Sequence, residues 1–372
     1  MIAVAVIFWV SIGLIVYTHV GYPLLLRALV ALRRKRERVE SAGSPSVSLI
    51  VAAHDEQDVI EEKVRNMQAL DYGGAVELIV ASDGSEDMTV ERSRDVKVLD
   101  LPRRGKVHAQ DAAVDVANGE ILAFSDANAF WDPDALRELV QPFADPSVGY
   151  VCGQLAYLAP DGSNQEGAYW RYENWVRALE SRIGSVTAGN GAIYAVRREA
   201  YMRLDPRTSH DLSFPFNMVK KGWRAVYEPA ARAAERPVSS IEGEFRRKRR
   251  MMSHAWPAVL GGGMLNPRGY GLTYGLEILS HRALRYATPF LHVIALAANV
   301  VLLGEGWVYL ATLAGQLALL AGAALAPLNH RLRLLSLCRY YVLMTASLAA
   351  GLWDALRHGT PATWEREPER PS

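Results

Sequence analysis

Cysteine is nearly absent: 372 residues hold two, Cys152 and Cys338. They stand too far apart in sequence for a metal-binding pair or a disulfide framework, which fits a reducing compartment. Charge of one sign is missing as well. Lys and Arg number 41 against 40 Asp and Glu, a formal net charge of +1, so no global field directs the chain to nucleic acid. No internal repeat or low-complexity tract appears, which excludes a repeat architecture. Charge is scarcest at the start, where Arg27 is the only formally charged side chain between Met1 and Leu32.

What is there is apolar: half of the residues, 50%. The run from Met1 to Leu32 is followed at once by Arg33-Arg34-Lys35-Arg36 and Arg38. A cleavable signal would carry its positive charge before the apolar run, so this run reads as a retained anchor. Basic residues stay in the cytoplasm, which places the N-terminus outside and the following domain inside. A buried core helix is the competing reading, and the run is longer than such helices usually are. Near the other end, Tyr286 to Gly304 and Gly306 to Leu328 are separated by little more than Glu305 and predict a helical hairpin across a bilayer. Leu334 to Trp353 contains Arg339 and is open to a spanning, re-entrant or interfacial placement. Arg339 would pair with a lipid phosphate or snorkel to the surface. Arg331 and Arg333 precede this segment and Arg357 and Arg366 follow it, so the positive-inside rule is met best with both sides cytoplasmic.

Between these segments the pattern is α/β. Ser41 to Ser46 reads as a linker. Strands are predicted over Val47–Ala52, Val76–Ala81, Val96–Leu99 and Ile121–Phe124, and helices over Val59–Leu70, Asp87–Arg94 and Lys106–Ala117. Such alternation implies a mainly parallel sheet covered on both faces, with ligands at the carboxyl ends of its strands. Phe245 to Met252 is basic and amphipathic, and Ala255 to Tyr274 is rich in Gly and aromatics, which suits a membrane surface. The resulting division is an anchor over 1–32, an α/β domain over 45–240, an interfacial segment over 241–280, membrane or re-entrant helices over 283–356, and a tail over 357–372.

Polar residues close each strand in a recurring order: Ala53-His54-Asp55-Glu56, then Ser82-Asp83-Gly84-Ser85, then Ser125-Asp126-Ala127-Asn128. Arg103-Arg104-Gly105-Lys106 lies between the last two. Carboxylates accept hydrogen bonds from a nucleobase N–H and from ribose hydroxyls, while Lys and Arg balance diphosphate charge, so one sheet edge offers what a nucleotide-sugar needs. Each motif alone has a plainer reading. Asp-Gly-Ser is a common turn, and Lys106 is compatible with a solvated helix start.

With Gly189-Asn190-Gly191-Ala192-Ile193-Tyr194-Ala195 and Ser209-His210-Asp211 added, the region resembles glycosyltransferase family 2. It is most similar to the membrane enzymes of the poly-N-acetylglucosamine, hyaluronan, chitin and cellulose synthase type. The resemblance implies a GT-A fold, that is a Rossmann-like, mainly parallel sheet, with N- and C-terminal transmembrane helices. It implies inverting transfer of a hexose or N-acetylhexosamine from a nucleotide diphosphate-sugar, in all expectation a UDP-sugar, to a lipid-linked or polysaccharide acceptor. Asp211 would be the catalytic base; Ala53, Glu56, Asp83, Lys106 and Asp126 would bind the donor; Asn190 and Gly191 would meet the acceptor. Asp126 and Asn128 would hold Mg²⁺ or Mn²⁺. The protein would be an integral, multi-pass plasma-membrane enzyme with its catalytic domain in the cytoplasm.

Departures from the family pattern stand out. Asn128 replaces a metal-binding acid, so the donor diphosphate must supply much of the coordination and the protein alone holds the ion weakly. After the base, Glu244-Phe245-Arg246-Arg247-Lys248-Arg249-Arg250 lacks the glutamine and tryptophan of the processive enzymes. Arg246 and Arg249 remain candidate diphosphate clamps, against the reading of a basic helix that binds anionic lipid. Ala53 replaces a proline, which is expected to matter little. His210 replaces the acid that usually precedes the base and would either tune Asp211 or fill space. Asn190 is read as an acceptor contact or as a residue supplying positive backbone dihedrals. Trp170, Trp175 and Trp223 would stack on a sugar or pack the core. Two other functions compete: a polyprenyl-phosphate glycosyltransferase, and a catalytically inactive nucleotide-sugar sensor or assembly subunit.

Overall fold

A computed structural model describes residues 1–33, 43–157, 168–235, 241–328 and 332–363. The basic run from Arg34 to Arg38, and Arg331 and Arg366, lie outside the described residues. The chain divides into two compact units: Met1–Leu25, Val238–Leu260 and Gly275–Thr360 form one, and Leu26–Pro237, Gly261–Tyr274 and Pro361–Ser372 the other.

Helices α1 (Ile2–Val16) and α2 (Tyr22–Leu32) open the chain and are joined by a π-helical turn, Tyr17–Gly21. The α/β unit follows with β1 (Val47–Ala53), α3 (Ile60–Gln68), β2 (Val76–Asp83), β3 (Lys97–Leu101), α4 (Lys106–Val116), β4 (Ile121–Asp126) and the short β5 (Phe130–Trp131). It continues through α5 (Ala135–Val140), β6 (Val148–Tyr157), α6 (Ala168–Ile183), β7 (Tyr194–Arg197), α7 (His210–Lys220) and β8 (Arg224–Glu235). The helix expected over Asp87–Arg94 is only a 3-10 turn at Glu91–Ser93. Its polar side chains are spent elsewhere: Asp87 and Thr89 take backbone N–H groups of Gln57 and Glu56.

The eight strands run in the order β3-β2-β1-β4-β7-β6-β8-β5. Strands β1 to β4 pair in parallel, with Val47 beside both Val76 and Ile121. The expected mainly parallel sheet holds for this half; beyond β4 the sheet is mixed, with β6 parallel to β8, β7 antiparallel to both β4 and β6, and β5 antiparallel to β8. Alternation of strand and helix patterns carries no information about which end a returning strand enters, so the mixed half was not visible in it. Every residue of β1 is buried, as a central strand covered on both faces requires. One face packs Leu49, Val51, Ile60, Val64 and Met67; the other packs Ile50, Ala52, Phe124, Tyr150 and Tyr194.

The other unit contains α8 (Ile241–Leu260) and α10 (Leu284–Val301), which is preceded by a second π-helical turn at Ile278–Ala283 after the short α9 (Leu272–Glu277). Next come α11 (Trp307–Leu325) and α12 (Arg333–His358). Among the described residues, four helical stretches are long and apolar enough to cross a membrane: Ile2–Leu32, Leu272–Val301, Trp307–Leu328 and Arg333–His358. The two π turns meet, with the Tyr17 hydroxyl 2.9 Å from Ser280 Oγ and Thr18 Oγ1 donating to the Ser280 carbonyl. The hairpin between α10 and α11 turns at Leu303–Glu305 and Gly306, as expected. The segment around Arg339 is one unbroken helix, and Arg339 is paired with Glu242 of α8. Gly351 lets α12 approach α8 closely: a Cβ there would meet Met252 Cβ at 2.6 Å and the Arg249 carbonyl at 2.9 Å.

The turn before β4 is pinned to β1 through Ser48, whose Oγ accepts the Gly119 N–H and donates to Glu77. A side chain at Gly119 would collide with the Ser48 backbone nitrogen. Gly119→Ala is therefore expected to destabilise the α/β unit by about 1–3 kcal/mol, the usual cost of overpacking. Gly271→Ala, which has open space around it, is expected to be neutral. Thermal unfolding of the two variants in detergent measures the difference.

Candidate active site

The strand-end residues gather at one edge of the sheet. Asp83, at the end of β2, is 1% exposed. Its carboxylate accepts the backbone N–H of Arg104 at 2.7 Å and of Gly105 at 2.9 Å. These bonds set the start of α4, where Gly105 takes a φ of 105° that a side chain would oppose. Asp83 is thus in part a clamp on the Lys106 loop. The Ala53–Glu56 loop is held against the same turn: His54 Nδ1 lies 2.8 Å from the Asp83 carbonyl, and Asp55 accepts the Glu86 N–H. Asp55 carries the left-handed φ of 53° that the tight turn demands.

Lys106, the first residue of α4, reaches across to Asp126 at the end of β4 and forms an ion pair with it. Both side chains are about a quarter exposed, at 26% and 28%, so the pair is partly open to solvent. Burial works against the ammonium charge, but Asp126 first, then Asp211 and Glu235, outweigh it and raise the Lys106 pKa. Gly191 presents its bare backbone to this pair. A Cβ there would lie 3.6 Å from both Asp126 Oδ2 and Lys106 Nζ. Gly191 therefore sits on the Lys106–Asp126 pair.

Asn190 does something else. Its side chain donates to the Gly153 carbonyl and accepts the Ile193 N–H at 2.9 Å, and it is 8% exposed, so its amide is spent on main chain. Nor does it supply a positive φ: among the described residues other than glycine only Asp55 has one. The loop before it is anchored by Arg177, which sequence reasoning missed. Its guanidinium donates to the carbonyls of Ala188 and Gly189, each at 3.2 Å. Gly189 is required because a Cβ would strike the Tyr150 hydroxyl.

Asp211 stands in the first turn of α7, where a negative charge is favourable to the helix dipole. Pro215 lies inside that helix and has no N–H to give to the carbonyl four residues back. The freed Asp211 carbonyl instead accepts the Gly189 N–H at 2.8 Å, which ties the Gly189–Gly191 loop to the expected base. Among the described residues, the Asp211 carboxylate takes part in no hydrogen bond or ion pair. It is left available to a ligand.

His210 does not substitute for an acid. It is 4% exposed, its Nδ1 is 2.8 Å from the Tyr194 hydroxyl, and its Nε2 has no hydrogen-bond partner among the described residues. Gln110 Nε2 donates to the same hydroxyl. Burial, and then the Lys106 charge, push its pKa down to about 3, which keeps the ring neutral.

Metal ligands are sparse. Among the described residues no group of three or more His, Cys, Asp or Glu is placed to hold an ion. The Asp126–Asn128 turn offers one carboxylate, already facing Lys106, and the exposed Asn128 amide. That donor set fits a hard cation only when diphosphate oxygens complete its coordination. Arg246 and Arg249 belong to the helical unit, where Arg249 is paired with Asp354, with nitrogen to oxygen distances of 2.6 and 2.7 Å. Of the three tryptophans, Trp223 covers Gly149, Trp170 packs on Tyr157, and Trp175 is 39% exposed.

The neutral state of His210 has a pH consequence. An unfolded histidine takes up a proton near its ordinary pKa of 6.5, whereas the folded ring refuses it down to about 3. Stability is complete above the first value and falls with acid between the two, by up to about 1.4 kcal/mol per pH unit. The unfolding midpoint of the parent protein is expected to drop more between pH 7 and pH 5 than that of His210→Gln. Parallel pH series of thermal unfolding compare them.

Comparison with known proteins places this geometry. The model of the family "Glycosyltransferase like family 2" matches residues 45–253. An N-acetylglucosaminyltransferase of Azorhizobium caulinodans is 30% identical over 149 residues, which cover 34% of this chain and 36% of that protein. One from Bradyrhizobium diazoefficiens is 26% identical over 235 residues, 55% of this chain and 48% of that protein. The match thus spans half or less of the length of these relatives. Among solved structures, a mannosyltransferase from Pyrobaculum calidifontis in complex with GDP-Man and Mn2+ is similar in fold, with a TM-score of 0.71 and 24% identity over 95% of this chain and 99% of that one. With the family model covering the whole α/β unit from its first strand through its last, the chain belongs to glycosyltransferase family 2.

Proposed function

We propose that the protein is a membrane glycosyltransferase that moves a hexose or N-acetylhexosamine, with inversion, from a nucleotide diphosphate-sugar to a lipid-linked or polysaccharide acceptor. The observation that carries this reading is the Lys106–Asp126 ion pair at the strand edge, with the Asp211 carboxylate within its electrostatic reach and otherwise unengaged. In this reading Asp83 and the Ala53–Glu56 loop frame the nucleobase. Lys106 balances the diphosphate, and Gly191 keeps the space above the pair open to it. The names of the relatives, N-acetylglucosaminyltransferases, support an N-acetylhexosamine and hence a UDP-sugar, while the GDP-Man in the structural neighbour supports a hexose. The Mn2+ in that neighbour supports a divalent ion, held here by Asp126 and the Asn128 amide together with the donor. Such an ion would neutralise charge on the leaving diphosphate.

The chemistry proposed for the side chains is a single displacement. Asp211 accepts the proton of the acceptor hydroxyl as its oxygen attacks the anomeric carbon. The bond from that carbon to the diphosphate breaks on the opposite face, and its electron pair leaves with the diphosphate, whose charge Lys106 offsets. The four long apolar helices support a domain of residues 45–240 carried at the cytoplasmic face by an anchor over 1–32 and helices over 283–356. The 241–280 segment then lies at the membrane and 357–372 is the tail. In this arrangement the resemblance to synthase-type enzymes extends to the layout of the chain.

Asp211→Asn tests the reading. Nucleotide diphosphate release from a panel of UDP- and GDP-sugars, with Mn²⁺ and a membrane-lipid extract as acceptor source, is expected to fall by about 10²–10⁴-fold, the usual worth of a general base. Binding of the free nucleotide is expected to be unchanged. Full activity in the variant would instead favour a phosphate acceptor, which needs no base. Nucleotide binding with no turnover of any donor by the parent protein would favour a sensor.

A further inference from the structure

Helix α3 buries one stripe, Ile60, Lys63, Val64 and Met67, at the three-to-four spacing of a core-facing helix. A lysine in that stripe is out of place. Lys63 is 0% exposed, among Ile60, Val64, Met67, Ala127, Ala129 and Trp131. A buried charge gives up its hydration, a cost that its hydrogen bonds must offset. What the ammonium does there is specific. It donates to Ser125 Oγ at 2.8 Å and to the Ala129 carbonyl, and it lies 5.4 Å from the centre of the Trp131 ring. Ser125 and Ala129 are the residues that flank Asp126-Ala127-Asn128.

We propose that Lys63 is a positioning residue for the donor site: its side-chain nitrogen ties both ends of the Asp126–Asn128 turn. A chain of bonds carries that hold onward. Ser125 Oγ and Trp131 Nε1 both reach the Ala192 carbonyl, next to Gly191, and Asn66 of α3 exchanges two hydrogen bonds with the Trp131 backbone. The turn and the Gly191 loop are therefore fixed from below by one helix. Burial lowers the Lys63 pKa to about 7, opposed by the charges of Asp126 and then Glu235. Asp126 pairs with Lys106 at the strand edge and feels Lys63 from the core side.

The proposal rests on the donor reading given above for the nucleotide, and the experiment separates the two. Lys63→Met keeps the length and removes the charge; Ser125→Ala removes one tether and leaves the lysine in place. Three readouts are compared with the parent protein: thermal unfolding, hydrogen exchange of the amides of residues 124–131, and metal-free binding of UDP and GDP by calorimetry. The expected result for Lys63→Met is faster exchange confined to the turn and about tenfold weaker nucleotide binding, or 1.4 kcal/mol. Ser125→Ala is expected to act in the same direction and less. Should Lys63→Met fail to fold, Ser125→Ala decides alone. Unchanged exchange in the turn overturns the proposal, as does a lowered midpoint with unchanged exchange and binding, which is the signature of packing alone. If the parent protein binds neither nucleotide, the donor reading fails, while exchange in the turn still decides whether Lys63 holds it.

Discussion

An ammonium and a carboxylate that meet at the mouth of a sheet attract one another only as long as both are held where water cannot fully screen them. Lys106 and Asp126 are held so, and much of the surrounding structure serves that meeting. Asp83 gives its carboxylate to the N–H groups of Arg104 and Gly105, which orients the start of α4 and with it Lys106. The parallel pairing of β1 with β4 aligns Ala52 with Asp126, so the carboxylate emerges at the same level as the Ala53–Glu56 loop. Gly191 presents no side chain to the pair. Each feature is a backbone constraint that ends in an electrostatic one.

The same economy links the expected base to the rest of the site. Pro215 leaves the Asp211 carbonyl without a helical partner, and the Gly189 N–H takes it, so the loop carrying Gly191 and the turn carrying Asp211 share a hydrogen bond. Arg177 fixes the preceding carbonyls from the other side. Below, the Gln110–Tyr194–His210 series holds a buried, neutral ring next to Asp211.

What could be read in the sequence was the local and periodic part. Strand-ending acids at Asp83 and Asp126, the glycine before Lys106, and the order of the later motifs pointed to one edge of an α/β sheet, where the structure places them. Three kinds of feature were illegible for a common reason, their dependence on partners distant in sequence. Lys63 looks like a solvated helix residue beside Glu61, Glu62 and Arg65, yet its partners are Ser125 and Ala129. Arg249 reads as a free phosphate clamp but meets Asp354, 105 residues away. The antiparallel entry of β7 between β4 and β6 follows from tertiary packing and leaves no trace in a four-residue strand. Asn190 has its own cause: its amide bonds two backbone groups, the Gly153 carbonyl and the Ile193 N–H.

The claim on which the rest depends is that Lys106 and Asp126 act as one unit on the donor diphosphate. A double-mutant cycle of UDP and GDP binding, with Lys106→Met, Asp126→Asn and both together, each with and without Mn²⁺, measures that coupling directly. The account predicts that Lys106→Met weakens binding in both conditions, that Asp126→Asn weakens it mainly with Mn²⁺, and that the double variant departs from the sum of the two by more than about 0.5 kcal/mol. Additive effects, or nucleotide affinity untouched by either change, would contradict it.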